Sequence, residues 1–158
     1  MISEGVKQFM GKVAPPIVRE VEKGAIRRFA DAVGNENTLY SDEEYAGRSR
    51  YGGIISPPGF FGWPMKTVAS STGLPDIIAD LQEALRDEGY PRILDGGISY
   101  EFFLPVRAGD TLVASPKIQS ITEKEGKSGL MLICDFEMTY LNQNGDVVAR
   151  SNQTFIAR

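Results

Sequence analysis

Ile26-Arg-Arg-Phe-Ala-Asp-Ala-Val-Gly-Asn-Glu-Asn-Thr-Leu-Tyr-Ser-Asp42 reads as an amphipathic helix that runs into a polar turn. Ile26, Phe29, Ala30 and Val33 recur at the i, i+3, i+4, i+7 spacing of one buried stripe, so the segment is expected to lay a single face on a core. Gly34 stands where a left-handed helix cap belongs, because a residue without Cβ adopts positive φ at little cost. Helix and cap together deliver Asn35 to Tyr40 to a fixed place. Read as structure alone, Asn35 and Asn37 are turn residues, and Tyr40 is a half-buried packing residue.

Working outward, Val6, Phe9 and Met10 suggest one short helical turn, and Ile17, Arg19 and Val21 alternate like a first strand after Pro15-Pro16. Ser41-Asp-Glu-Glu44 has the form of a capping box opening a short helix through Ala46. Tyr51-Gly52-Gly53-Ile54-Ile55-Ser56-Pro57-Pro58-Gly59-Phe60-Phe61 then admits two readings. Either Ser56 caps a helix with Pro57 at its first position, or the continuous helix starts at Pro64 and runs to about Ser71. Asp76 to Glu88 is a clearer helix, with Ile77, Leu81 and Leu85 on one face and Gly89 closing it.

Beyond Pro91 the apolar period changes to two. Ile98, Tyr100, Phe102 and Leu104 alternate, as do Leu130, Leu132, Cys134, Phe136, Met138 and Tyr140. Asn144-Gly145 is a hairpin signal joining the second run to Val147–Ile156, and Glu125-Gly126 is a weaker one joining Leu112–Glu123 to it. Helices followed by consecutive long strands predict an α+β fold with an antiparallel sheet.

The chain has 158 residues, enough for one domain with a real core, and we take 1–158 as that unit. Apolar residues at 42% and charged residues at 24% fit a soluble globular protein. No stretch has the apolar length of a membrane span, and the N-terminus lacks a basic region followed by an apolar run. A cytoplasmic protein without a membrane partner is expected. The lone Cys134 forms no internal disulfide, in keeping with a reducing compartment, and in mid-strand it reads as an inert buried thiol. A net charge of −4 and a pI near 4.9 argue against nucleic acid. The chain has no histidine, which removes Ser-His and Cys-His nucleophiles and imidazole metal sites together; one cysteine likewise removes zinc sites of the Cys-rich kind. Neither metal nor cofactor is expected.

Gly34-Asn35-Glu36-Asn37-Thr38-Leu39-Tyr40 resembles the signature Gly-Asp-x-Asn-Pro-Leu-His of the MaoC-like R-specific enoyl-CoA hydratases and 3-hydroxyacyl dehydratases. A second stretch, Tyr100-Glu-Phe-Phe-Leu-Pro-Val-Arg-Ala-Gly-Asp-Thr-Leu112, resembles that family's strand pair joined at Pro-Val-x-x-Gly-Asp. The resemblance implies a hot-dog fold, an antiparallel sheet wrapped around a central helix. It also implies that an Asp and a His five residues apart activate the water added across an enoyl thioester. Those two positions are Asn35 and Tyr40 here. A carboxamide is no base, and an ordinary phenol titrates near pH 10, so neither exchanges a proton near neutrality. The family's oxyanion-binding glycine, counted along the Tyr51-Gly52-Gly53 frame, falls on Pro58, which has no N–H to donate; a slip of one places it on Gly59.

The motif is therefore degenerate, with Asn35, Tyr40 and Pro58 in place of catalytic groups and no catalytic residue in this chain. Within the family the likeness is to the non-catalytic dehydratase halves and accessory subunits. Gly59, Phe60, Phe61, Trp63 and Met65 are expected either to line an acyl tunnel or to be plain core. Arg48, Arg50, Arg92 and Arg107 either meet the phosphates of CoA or of an acyl-carrier prosthetic group, or sit in solvent. The leading expectation is an acyl-thioester-binding subunit, for acyl-CoA or an acyl-carrier protein, paired with a catalytic MaoC-like subunit or with a second copy. The alternative is a self-sufficient hot-dog hydratase or thioesterase using a carboxylate such as Glu36 or Asp42.

Overall fold

The computed structural model describes residues 2–60, 76–126 and 129–158. The element order is α1 (Glu4–Lys7), β1 (Ile17–Glu20), α2 (Lys23–Ala32), a 3-10 turn (Thr38–Tyr40), α3 (Glu43–Arg48), α4 (Asp76–Asp87), β2 (Ile93–Phe102), β3 (Thr111–Gly126), β4 (Gly129–Leu141) and β5 (Val147–Ala157). Among the described residues all strand pairs are antiparallel, in the spatial order β1-β3-β4-β5-β2. This is the α+β hot-dog architecture expected from the sequence. The helix anticipated beyond Pro58 falls largely on residues 61–75, outside the described residues, as does its alternative start at Pro64.

Alternation along the strands decides which face is covered. Leu112, Ala114, Pro116 and Ile118 of β3, Leu132, Cys134, Phe136 and Tyr140 of β4, and Ala149, Ser151 and Ala157 of β5 are buried on the same face. The register shifts between Ile118 and Ser120, where a β-bulge at Gln119 inserts one residue. Without it Ser120 would point inward and Ile121 outward. With it Ile121 is buried, while the Ser120 hydroxyl donates to Asp135 Oδ2 on the opposite face at 2.8 Å. Thr154 Oγ1 donates to the other oxygen of Asp135 at 2.7 Å, so a polar row lies across the outer surface.

Two groups of apolar side chains rest on the inner face. Ile26 and Ala30 of α2 pack with Leu112, Ala114, Tyr140 and Ala149 at one end. Val6 of α1 and Ile78, Leu81 and Leu85 of α4 pack with Ile118, Ile121, Leu132 and Cys134 at the other. Val33 departs from the expected stripe: it is the C-cap of α2 and 57% exposed, so the buried face of that helix ends at Ala30. Gly34 follows with φ +68°, the left-handed cap anticipated.

Two local expectations change, and the hairpin expected at Asn144-Gly145 forms. The cap of α3 is Asp42, whose Oδ1 accepts the Tyr45 N–H at 2.9 Å, because that helix starts one residue later than the Ser41 box implies. β3 continues to Gly126, which pairs with Gly129, so Glu125-Gly126 belongs to the strand and not to the turn. The second hairpin closes around Gln143-Asn144-Gly145, with Gly145 at φ +84° and its N–H donating to Asn142 O at 3.0 Å. That is the three-residue hairpin form, with glycine at the left-handed position.

Nothing lies within 4 Å of a Cβ added to Gly34, so the cost of a side chain there is conformational alone. Gly34→Ala is expected to lower the unfolding free energy by about 1 kcal/mol, and Gly34→Asn by less, because asparagine tolerates positive φ. Urea titration of both variants measures the difference.

Candidate functional site

The turn after α2 is held by its own side chains. Asn35 Oδ1 accepts the Asn37 N–H at 3.3 Å, and Asn37 Oδ1 accepts the Leu39 N–H at 3.0 Å, capping the 3-10 turn. Short carboxamides form such Asx turns readily, so this pair sets the path of the chain. Asn35 remains exposed, whereas Tyr40 is buried.

Two further segments are stitched to this turn. The Ile55 N–H donates to Leu39 O at 3.3 Å, the Ser56 N–H to Val106 O at 2.8 Å, and the Ala108 N–H to Ile54 O at 3.0 Å. Residues 37–40, 50–58 and 102–106 thereby converge on a cavity of about 680 Å³. Leu39, Ile55, Pro57, Pro58, Phe102, Phe103, Leu104, Pro105 and Val106 make its apolar wall, and Asn37, Tyr40, Arg50, Tyr51 and Ser56 supply its polar groups. Among the described residues that line it there is no carboxylate and no thiol.

The phenols of Tyr40, Tyr100 and Tyr140 hold their protons. Burial raises the Tyr40 pKa above its usual 10.0, and neighbouring Tyr51 adds to the shift. Behind the wall, Tyr100 stacks on Phe102 with ring centroids 5.7 Å apart and is raised by burial as well. Tyr140 is pushed up to about 12, first by burial; the Ser151 hydrogen bond opposes the shift and Tyr100 adds to it. Among the described residues the lining therefore offers hydrogen-bond donors and the Arg50 guanidinium.

The anticipated positions separate. Tyr40 and Pro58 line the cavity, while Asn35 does not. Gly59, at φ +85°, turns the chain beside Phe29, whose Cζ lies 3.8 Å from where a Cβ would stand. Phe60 is 2% exposed and packs edge-to-face on Phe29 at 5.8 Å, in the core cluster of α2. Phe61, Trp63 and Met65 lie outside the described residues. Glu36 stays exposed in the turn, and Asp42 caps α3 through Oδ1; neither lines the cavity. Sequence reasoning did not single out Leu39, Tyr51 or Phe103 as wall residues. A signal for Phe103 existed, since Phe102-Phe103-Leu104 breaks the strand's alternation and puts apolar groups on both sides.

Comparison with known proteins agrees with this architecture. The family model described as FAS1-like, dehydratase domain region, matches residues 8–151. A UPF0336 protein of Streptomyces avermitilis is 30% identical over 154 residues, covering 96% of this chain and 94% of its own length. A chain of the ChsH1–ChsH2 complex from Mycobacterium tuberculosis superposes with a TM-score of 0.82 at 18% identity, covering 97% of this chain and 88% of that one. A chain of the HadBC 3R-hydroxyacyl-ACP dehydratase complex from the same organism superposes with a TM-score of 0.68 at 23% identity, covering 94% and 96%. With most of its length matched by that family model and nearly all of it aligned to a relative of equal extent, the chain belongs to the FAS1-like dehydratase domain family, on the MaoC-like hot-dog fold.

Proposed function

We propose that the chain, residues 1–158 acting as one hot-dog unit, is the non-catalytic acyl-thioester-binding subunit of a cytoplasmic R-specific enoyl-thioester hydratase or 3-hydroxyacyl-thioester dehydratase, completed by a catalytic MaoC-like subunit. One observation carries this reading. The cavity at the family's motif position presents a proton-retaining phenol where the base would stand, and the other motif side chain, Asn35, lies outside it. Hydration of an enoyl thioester needs a group that takes a proton from water, and none lines this cavity among the described residues. An apolar wall ending in hydrogen-bond donors still suits an acyl chain and its thioester. No described helix is long and apolar enough to cross a membrane.

The sheet edge supports the partner. β2 is a terminal strand of ten residues, and Leu94 (40%), Ile98 (43%) and Phe102 (47%) along it are exposed. An open strand edge beside exposed apolar side chains favours burial against another sheet. The ChsH1–ChsH2 and HadBC neighbours are complexes of two different subunits, which favours a catalytic partner over a second copy. The carboxylates of the alternative reading, Glu36 and Asp42, are outside the cavity, which weighs against a self-sufficient hydratase or thioesterase.

The isolated chain is expected to hydrate crotonyl-CoA no faster than buffer, and to gain activity only when co-purified with a catalytic partner. Turnover by the chain alone that survives Glu36→Ala, Asp42→Ala and repurification would refute the reading. Sedimentation at micromolar concentration is expected to show a dimer, heteromeric when the partner is present; a monomer indifferent to the partner would remove the role given to β2.

Restoring the motif is expected to fail. In the double variant Asn35→Asp, Tyr40→His, the new carboxylate sits in an exposed turn away from the cavity. Pro58 still withholds an oxyanion donor, a loss of roughly 3–4 kcal/mol of transition-state stabilisation. Kinetics with and without Pro58→Gly test this, and robust hydration by the double variant would show that another N–H, such as that of Gly59, already fills the role.

A further inference from the structure

We propose that Asp95 and Glu101 make the free edge of β2 selective: they repel a second copy of this chain and attract a subunit whose facing strand carries lysine or arginine. The inference rests on the partner role given to β2 above and adds the chemistry by which that partner is chosen.

β2 ends the sheet in the order β1-β3-β4-β5-β2, so one side of it pairs with β5 and the other is open among the described residues. Its sequence, Ile93-Leu-Asp-Gly-Gly-Ile-Ser-Tyr-Glu-Phe102, carries two charged residues, Asp95 and Glu101, both negative and both exposed. The register with β5 places them on different faces. Asp95 stands opposite Phe155 on the inner face, and Glu101 stands opposite Arg150 on the outer one. The register shift between Asp95 and Gly97 is the cause, because residues six apart in an unbroken strand share a face. Each face of the edge therefore presents a carboxylate, and the strand supplies no cation to either.

Neither carboxylate forms an ion pair among the described residues. Asp95 Oδ1 accepts the Gly97 N–H at 3.0 Å, a contact that spans the bulge and leaves the charge in place. Arg150, which faces Glu101 in register, holds its guanidinium over the Phe103 ring, 5.5 Å from the centroid.

A second copy that met this edge across a two-fold axis would present the same strand. Paired strands lie about 4.8 Å apart, so that joint would gather carboxylates from both copies with no lysine or arginine on either strand. Like charges facing each other across strands are destabilising, and opposite charges are favourable. Leu94, Ile98 and Phe102 make the edge adhesive toward any sheet, and the two carboxylates decide which sheet it accepts. The occupant that fits is a strand with a basic residue near each carboxylate, one on each face.

The test uses the full chain alone, with a copy of inverted edge charge standing in for the partner. The double variant Asp95→Asn, Glu101→Lys is mixed with wild type and the species are counted by native mass spectrometry. Mixed dimers are expected to be favoured over either parent dimer by about tenfold and to weaken as salt is added, while wild-type self-association strengthens because its repulsion is screened. Alone, Glu101→Gln and Asp95→Asn are each expected to tighten self-association in sedimentation at low salt. Asparagine at 95 keeps an acceptor for the Gly97 N–H, and circular dichroism checks that each variant is folded. Asp31→Asn removes the same charge from exposed α2 and is expected to change nothing, which separates the edge from net charge. A random share of mixed dimers, or equal tightening by Asp31→Asn, would overturn the selection while leaving the acyl-thioester reading intact. Chains that stay monomeric in every mixture would remove the role of β2 and this inference together.

Discussion

The inward face of the β3–β4 ladder is the constraint on which the remaining structure depends. Its buried side chains alternate with solvent-facing ones from Leu112 to Ile121 and from Leu132 to Tyr140, and the described helices α1, α2 and α4 bury their apolar faces against them. Burying a side chain the size of Leu or Ile contributes roughly 1.5–3 kcal/mol, so a slip of one residue in this ladder would lose the core rather than rearrange it. The bulge at Gln119 is what lets a strand sixteen residues long serve both ends of the sheet, since it restores Ile121 to the inner face after the pattern would have drifted out of phase.

Much of this is readable from residue order. The alternation of β4 and the amphipathic spacing of α4 identify both elements because each pattern has a single geometric solution. Gly34 announces its own conformation, and Ile118-Gln-Ser-Ile121, with apolar residues three apart in a strand, carries the bulge in its spacing. The departures are local competitions: Asp42 displaces Ser41 as cap of α3, and strand pairing carries β3 past the glycine expected to turn it. Val33 keeps the helical period yet lies where the helix ends, and period alone does not say where that is.

The cavity is far less legible. Tyr40 and Pro58 can be placed through the motif, but the wall they share with Tyr51 and Phe103 is assembled from three segments distant in sequence, held by backbone hydrogen bonds that leave no mark on residue identity. The fold sets where residues 37–40, 50–58 and 102–106 meet, and the side chains they carry set what can happen there.

The two apolar clusters on the sheet have no residue in common among those described: one gathers around Ile26 and Tyr140, the other around Leu81 and Cys134. A layout of this kind divides the free energy of folding into two neighbourhoods joined by the strands. Each neighbourhood is then free to open at its own rate, and amide exchange in α1 and α4 need not follow that in α2. The cavity belongs to the α2 neighbourhood through Tyr40, Ile55 and Val106, so loosening at the far end of the sheet need not reach its walls.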